Sequence, residues 1–133
     1  MNKRREDAAR RAALAASTER AEAVAAQAQI DGFVATAKDR GLVPEPLRAI
    51  TLAGKTVRTD RVGWYLNAAR SVAVGADGSF YRLVVPGSFR DRFRGVELQT
   101  SAPPLVIGLG ARDGESGDLA GFLAAALEAY APR

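Results

Sequence analysis

Residues 49–56 read AITLAGKT, and what they form decides the fold class of this 133-residue chain. They fit a relaxed phosphate-loop pattern, GxxxxGKS/T with Ala49 in place of the usual first glycine. A phosphate loop must lead into a helix whose N-terminus faces the phosphates. Residues 57–66, VRTDRVGWYL, are instead β-branched and aromatic, which favours a strand. The stretch therefore predicts a hairpin turn with Gly54-Lys55 at its corner rather than a nucleotide-binding loop.

The chain beyond Pro46 continues as short apolar and β-branched runs separated by turn residues. Asp77-Gly78 is a strong hairpin signal between two of these runs. Residues 88–95, SFRDRFRG, predict one or two helical turns that Gly95 ends. The seven predicted strands are LRAITL (47–52), TVRTD (56–60), VGWYLN (62–67), SVAVG (71–75), SFYRLVV (79–85), GVELQT (95–100) and PLVIGLG (104–110). Their core, preferred over a ligand groove, is expected to contain Trp64, Leu66, Val72, Val74, Tyr81, Leu83 and Val85.

Residues 2–40 predict one long helix, or two helices joined near Gly32. Up to residue 29 the sequence is rich in Ala, Arg, Glu and Gln, which are good helix formers, and large apolar residues are scarce. We therefore expect this part to be either a solvated arm or a surface for close packing with a partner. From Ile30 an apolar face begins and should dock on the rest of the chain, and Gly41 should end the helix.

A second helix is predicted after Ser116, which would be its N-cap. Its apolar residues recur at helical spacing, so it should pack across the sheet. These residues are Leu119, Phe122, Leu123, Ala126, Leu127 and Tyr130. The predicted fold class is α+β: a long N-terminal helix, an antiparallel sheet or partial barrel of six to seven strands, and a C-terminal amphipathic helix packed on the sheet. Residues 1–41 would form a helical arm and residues 46–133 a compact domain.

The composition argues against several kinds of chemistry. The sequence has no Cys and no His, so it lacks thiolate ligands, a Cys nucleophile and the commonest general base. We identify no catalytic constellation and predict no enzymatic activity, no cofactor and no metal. No apolar run approaches the ~20 residues of a membrane span. The N-terminus starts basic like a signal peptide, but Glu6, Asp7, Arg10 and Arg11 interrupt that pattern and no run of large apolar residues follows. This predicts a cytoplasmic protein.

Residues 108–118, GLGARDGESGD, have a functional and a plainer interpretation. The GxG at 108–110 resembles a dinucleotide turn, but the third glycine comes one residue late and no second strand follows. Asp113, Glu115 and Asp118 are candidate metal ligands or acid catalysts, but their spacing is not that of a calcium loop. The favoured interpretation is a turn followed by acids near the positive end of a helix.

The formal net charge is +4. Basic residues form two groups in the β region, and if these converge on one face they would bind phosphate groups while aromatic residues stack on bases. The alternative is that the aromatic residues are core and the arginines are the solvated face. The basic start of the chain is a second candidate of the same kind. The candidate anion surface comprises Arg58, Arg61, Arg82, Arg90, Arg92 and Arg94.

Three segments carry a family resemblance: GWYL (63–66), VAVGADGSFYRLVVPG (72–87), and PPLVIGLGARDGES (103–116) ahead of the amphipathic helix. With them the chain resembles a type of small uncharacterised protein from GC-rich actinobacteria, in which a charged helical N-terminus precedes a short β domain. The resemblance covers roughly residues 33–120 and implies a bacterial, cytoplasmic protein without known enzymatic activity. The strand-rich body closed by a helix is also similar to pleckstrin-homology-like domains, a similarity that carries no function.

The sequence therefore predicts a non-enzymatic protein-interaction module, because a helix poor in apolar residues precedes a remainder rich in core residues. Its β body would be a rigid platform, and its arm would meet an unidentified protein partner or a second copy of the chain. The first alternative is a nucleic-acid-binding protein that uses the arginine groups. The second is an enzyme that works without His or Cys. No membrane is expected among the partners.

Overall fold

The structure is a computed structural model that describes residues 2–86, 95–108 and 116–132. Its elements are α1 (Lys3–Asp39), β1 (Glu45–Thr51), β2 (Thr56–Tyr65), β3 (Val72–Gly75), β4 (Phe80–Arg82), β5 (Val84–Val85), β6 (Val106–Ile107), β7 (Gly117–Asp118) and α2 (Leu119–Ala129). A five-stranded sheet has the order β4-β3-β2-β1-β5, and β6 pairs with β7. The fold is α+β, as predicted.

The opening stretch forms the predicted hairpin between β1 and β2. The Thr51 N–H donates to the Lys55 carbonyl at 2.8 Å, and the Gly54 N–H donates to the Thr51 carbonyl at 2.8 Å. Gly54 has a φ of +83°, a left-handed conformation that glycine adopts without steric cost. Because a strand follows the turn directly, no helix N-terminus is available there for a phosphate group.

Strand β2 corrects one prediction, since residues 56–60 and 62–67 were expected to form separate strands. The register between β1 and β2 shifts between Pro46 and Arg48, so three residues of β2 lie opposite Leu47 alone. The Thr59 hydroxyl fills the gap: it donates to the Leu47 carbonyl at 2.6 Å and accepts the Arg61 N–H at 3.2 Å. A bulge therefore replaces the predicted break, and β2 continues to Tyr65.

The predicted strand 79–85 is divided at Leu83. Its N–H donates to the Ser71 carbonyl beside β3, and its carbonyl accepts the Ile50 N–H of β1, at 2.8 and 2.7 Å. After Leu83 the chain leaves β3 and pairs parallel with β1. The sheet is therefore mixed, which corrects the expectation of a purely antiparallel sheet. The hairpin at Asp77-Gly78 is confirmed, with a Gly78 φ of +89°.

The predicted strand 95–100 is not formed. Val96 makes an isolated parallel bridge to Thr59, and the Leu98 N–H donates to the Asp60 carboxylate at 3.0 Å. These contacts hold the segment beside β2 without a ladder. Residues 104–110 were also predicted to form a strand. Among the described residues of this segment, Val106–Ile107 form a strand and the others do not. The helical turns predicted at 88–95 lie outside the described residues, apart from Gly95.

Helix α1 is continuous through Gly32 and ends as predicted. The Leu42 N–H donates to the Ala37 carbonyl at 2.9 Å, the Gly41 N–H donates to the Lys38 carbonyl at 3.1 Å, and Gly41 has a φ of +70°. This is a Schellman motif. The docked face begins earlier than the predicted Ile30, because Ala26 is already fully buried.

Helix α2 confirms the predicted amphipathic helix, with Leu119, Leu123 and Ala126 buried. Its N-cap is Asp118 rather than Ser116, because Gly117 and Asp118 pair with β6 before the helix begins. The predicted core residues are buried, apart from Val85, which is partly buried.

These core residues occupy two layers, one on each face of the sheet. Trp64, Val74 and Phe80 pack under α1 and α2. Tyr65, Ala73, Tyr81 and Leu83 form the layer on the other face. The alternation of buried side chains along β2, β3 and β4 places successive residues in different layers.

Candidate functional site

The N-terminal half of α1 projects from the body. Residues 3–21, which we call the arm, are exposed except for the partly exposed Asp7 and Ala16. At about 1.5 Å per residue, the arm is about 28 Å long. The body begins to hold the helix at Glu22, whose Oε1 accepts the Leu105 N–H at 3.0 Å. The arm is therefore a helix presented to solvent on most of its surface.

One face of α1 carries an apolar stripe. Leu14, Ser17, Ala21, Val24 and Ala28 follow one another at alternating spacings of three and four residues, as at the a and d positions of a coiled coil. At 3.6 residues per turn this face, which we call the outer face, is opposite the docked face. Leu14 is 67% exposed and Val24 71%. The outer face thus combines two large exposed apolar side chains with small residues that permit close approach.

Of the arginines proposed as an anion surface, Arg61 and Arg82 lie beside aromatic rings of different core layers. The Arg61 guanidinium lies 5.9 Å from the centre of the Tyr81 ring, which belongs to one core layer. The Arg82 guanidinium lies 5.8 Å from the centre of the Phe80 ring, which belongs to the other. Arg58 is exposed on β2. Arg90, Arg92 and Arg94 lie outside the described residues, so that part of the surface stays a prediction.

A cleft of about 410 Å³ lies between α2 and the end of β2. Its polar groups are the Glu45 carboxylate, the Tyr130 hydroxyl, the Asn67 amide and the Arg70 guanidinium. Its apolar surface comes from Tyr65, Leu66, Ala125, Ala126 and Ala129. The cleft is an open groove rather than an enclosed cavity, and its lining combines polar and apolar residues.

Tyr130 joins three elements at this cleft. Its hydroxyl donates to Glu45 Oε2 at 2.6 Å and accepts the Tyr65 N–H at 2.9 Å. Burial of the phenol, and then its hydrogen bond to Glu45, raise the pKa of Tyr130 well above its usual value. The phenol therefore remains protonated at neutral pH and ties the end of α2 to β1 and β2.

Arg70 stands at the rim of the cleft in an unusual backbone conformation. Its φ of +56° makes it the one non-glycine residue with positive φ in the described chain. Its guanidinium lies 4.9 Å from the centre of the Tyr65 ring, within cation–π distance. The Asn67 amide fixes the loop, because its Oδ1 accepts the N–H groups of Ser71 and Val72 and its Nδ2 donates to the Ser71 hydroxyl. The loop thus fixes the backbone of Arg70, and the Tyr65 ring contacts its guanidinium.

The sequence analysis did not identify this cleft. It assigned Tyr130 only to the apolar face of a helix, and it gave Glu45 and Arg70 no common role. Glu45 and Tyr130 are 85 positions apart, so no local spacing indicates their contact. The tyrosine at the end of a face that otherwise has no polar group was a usable signal, since a half-buried phenol usually finds a hydrogen-bond partner.

Within the described part of the chain there is no cluster of three or more metal-ligand side chains, and no helix is long and apolar enough to span a membrane. The candidate ligands Asp113 and Glu115 lie outside the described residues, and the third candidate, Asp118, is exposed. Of the GxG at 108–110, only Gly108 is among the described residues. The cytoplasmic location stays a prediction.

Comparison with protein-family models, curated proteins and solved structures found no match for this chain.

Substitution of Tyr130 by Phe is expected to lower the free energy of unfolding by about 1–2 kcal/mol, because two hydrogen bonds are lost. Since the pKa of Tyr130 is raised on folding, its contribution is complete below the unfolded value of about 10 and is lost at higher pH. The difference between wild type and Tyr130→Phe should therefore be constant from neutral pH to about pH 9 and shrink above about pH 10. Urea titrations at several pH values measure it.

Tyr81→Phe is the matched control. The Tyr81 hydroxyl is buried and makes no hydrogen bond with the described residues, so its removal should be neutral or slightly stabilising. Equal losses in the two variants would mean that the Tyr130 hydrogen bonds contribute nothing to stability.

Proposed function

We propose that this protein is a non-enzymatic interaction module that associates with a second copy of itself through the outer face of α1. The observation that carries the proposal is the outer face of α1, on which Leu14 and Val24 are both exposed. A helix face of this kind is stabilised when a partner removes its apolar side chains from water. The body anchors the helix at one end and leaves this face open.

A second copy fits the spacing of the outer face. If two α1 helices pair antiparallel about Glu19, Leu14 of each copy lies opposite Val24 of the other, and Ser17 lies opposite Ala21. The two large apolar side chains of the face then meet twice in a symmetric interface. The arm of the second copy would continue along residues 28–35, whose outer positions are also exposed. The docked body therefore leaves room for the pairing.

The test is sedimentation of the full chain over a range of concentrations. Leu14→Glu places a carboxylate opposite Val24 of the other copy and should raise the dimer dissociation constant at least about tenfold. Ala12→Glu is the matched control, because it adds the same charge two residues away on the opposite side of the helix. The control should dimerise like the wild type.

Two results would count against this proposal. A wild-type chain that sediments as a monomer up to about 0.1 mM would exclude self-association of useful affinity. Equal behaviour of Leu14→Glu and Ala12→Glu would remove the outer face as the interface.

Labelled duplex DNA titrated at about 50 and 200 mM salt addresses the nucleic-acid alternative, because phosphate binding by the basic arm would weaken steeply over that range.

A further inference from the structure

The cleft beside α2 presents opposite charges on separate elements. Arg70 belongs to the loop after β2, and Glu45 belongs to the start of β1. The salt bridges within the described residues are Arg10–Asp7 and Arg61–Asp60. Neither Arg70 nor Glu45 forms a salt bridge with another described residue. Both charges are therefore available to groups of a ligand.

The backbone conformation of Arg70 is energetically unfavourable. A left-handed backbone disfavours a residue with a Cβ by about 1 kcal/mol, and such conformations cluster at functional sites. The Asn67 side chain donates one hydrogen bond and accepts two, and the Arg70 N–H donates to the Asn67 carbonyl; these four bonds maintain the loop. The Tyr65 ring supports the guanidinium from one side. The guanidinium is thus pre-organised for an anionic group.

The chemistry of the walls defines the class of ligand. A planar guanidinium pairs best with a carboxylate or phosphate, through two parallel N–H donors. The Glu45 carboxylate has about four lone-pair sites, and the Tyr130 hydroxyl uses one of them. The other lone pairs of Glu45 can accept a hydrogen bond from an N–H group of a ligand. Its negative charge repels a dianionic phosphate. The apolar surface of Leu66 and Ala129 suits an aliphatic side chain.

We propose that this cleft binds a carboxylate flanked by an N–H donor and an aliphatic side chain, as in a free aliphatic amino acid or the C-terminal residue of a peptide. Arg70 binds the carboxylate, Glu45 accepts the N–H, and the alanines of α2 contact the side chain. The hydrogen bond from Tyr130 to Glu45 joins the end of α2 to the start of β1 beside the site. This binding site is separate from the outer face of α1.

The experiment titrates the full-length protein with L-leucine and with N-acetyl-L-leucine while amide resonances are followed by NMR. A concentration of about 10 mM detects ligands with millimolar dissociation constants. One or both should shift the amide signals of Tyr65, Arg70 and Ala129, whereas L-leucinamide, which lacks the carboxylate, should not. Binding of L-leucine alone identifies a free amino acid, and binding of N-acetyl-L-leucine alone identifies a peptide C-terminus.

Arg70→Asn removes the guanidinium but keeps a residue that tolerates the left-handed conformation, and it should raise the dissociation constant at least about tenfold. Arg82→Gln is the matched control, since Arg82 is also exposed and stacked on an aromatic ring, but away from the cleft. Glu45→Gln should weaken L-leucine more than N-acetyl-L-leucine, because only the first carries an ammonium group. The proposal is overturned if neither ligand shifts the cleft signals, or if the shifts survive Arg70→Asn unchanged.

Discussion

Substitution of Gly63 by Ala is expected to lower the free energy of unfolding by about 3 kcal/mol or more, a large loss for one methyl group. Gly63 pairs with Gly75 across β2 and β3. A Cβ built at position 63 would lie 2.1 Å from the Val74 carbonyl oxygen and 2.8 Å from the Gly75 Cα. Both are backbone atoms, so no side-chain rotation relieves the clash. Urea unfolding followed by circular dichroism measures the loss.

The two strands cannot simply move apart at this point. Trp64 and Val74 are fully buried in the layer under the helices, and Ala73 is fully buried in the layer on the other face. A displacement of β3 would therefore disturb both layers, and the interior of a protein is too densely packed to accept it cheaply.

Gly32→Ala is the control for the same change of residue. Gly32 is exposed within α1, and no atom lies within 4 Å of a Cβ built there. Alanine should stabilise the helix by about 0.5–1 kcal/mol, because glycine is the poorer helix former. Opposite signs at the two positions are the expected result. A loss at Gly63 no larger than the change at Gly32 would refute the proposed clash.

Local sequence signals predicted the features of this fold that depend on neighbouring residues. Gly54 and Gly78 supply the positive φ that their turns require. Gly41 ends α1 for the same reason. The apolar spacing in α2 identified its buried face, because helical periodicity is a property of the segment alone.

Features that depend on distant residues were missed or mistaken. Nothing within residues 79–85 indicates that the chain leaves β3 at Leu83, because that change is set by pairing with Ile50. The bulge opposite Leu47 requires a side-chain bond from Thr59 across the hairpin. The sequence therefore located β1 to β5 approximately without determining the strand with which each part pairs.

The candidate sites divide in the same way. The exposure of the first part of α1 was expected from composition, since Leu14 and Val24 are isolated among small and charged residues. The cleft was not, because Arg70 gains its importance only from Glu45 and Tyr130, which lie on other elements. The candidate anion surface stays a prediction, and the aromatic rings beside Arg61 and Arg82 belong to different core layers.

Substitution of Phe33 by Ala is expected to lower the free energy of unfolding by about 3–5 kcal/mol, because it leaves a cavity between α1 and the sheet. Phe33 is 4% exposed, and its ring meets Trp64 edge to face at a centroid distance of 5.5 Å. Trp64 is the only tryptophan and is fully buried. The fluorescence of Trp64 therefore reports the unfolding of the core layer that contains Phe33, and circular dichroism reports the loss of helix.

Leu14→Ala is the control on the same helix. Leu14 is 67% exposed in the arm, so its truncation should change the free energy of unfolding by no more than about 0.5 kcal/mol at concentrations where the chain is monomeric. In Phe33→Ala the fluorescence and circular dichroism transitions should shift together, because residues 26–37 of α1 supply part of the core. A variant that loses helix signal first, while Trp64 stays in an apolar environment, would show that the body folds without α1. The arm would then be a separate element rather than the extension of a core helix.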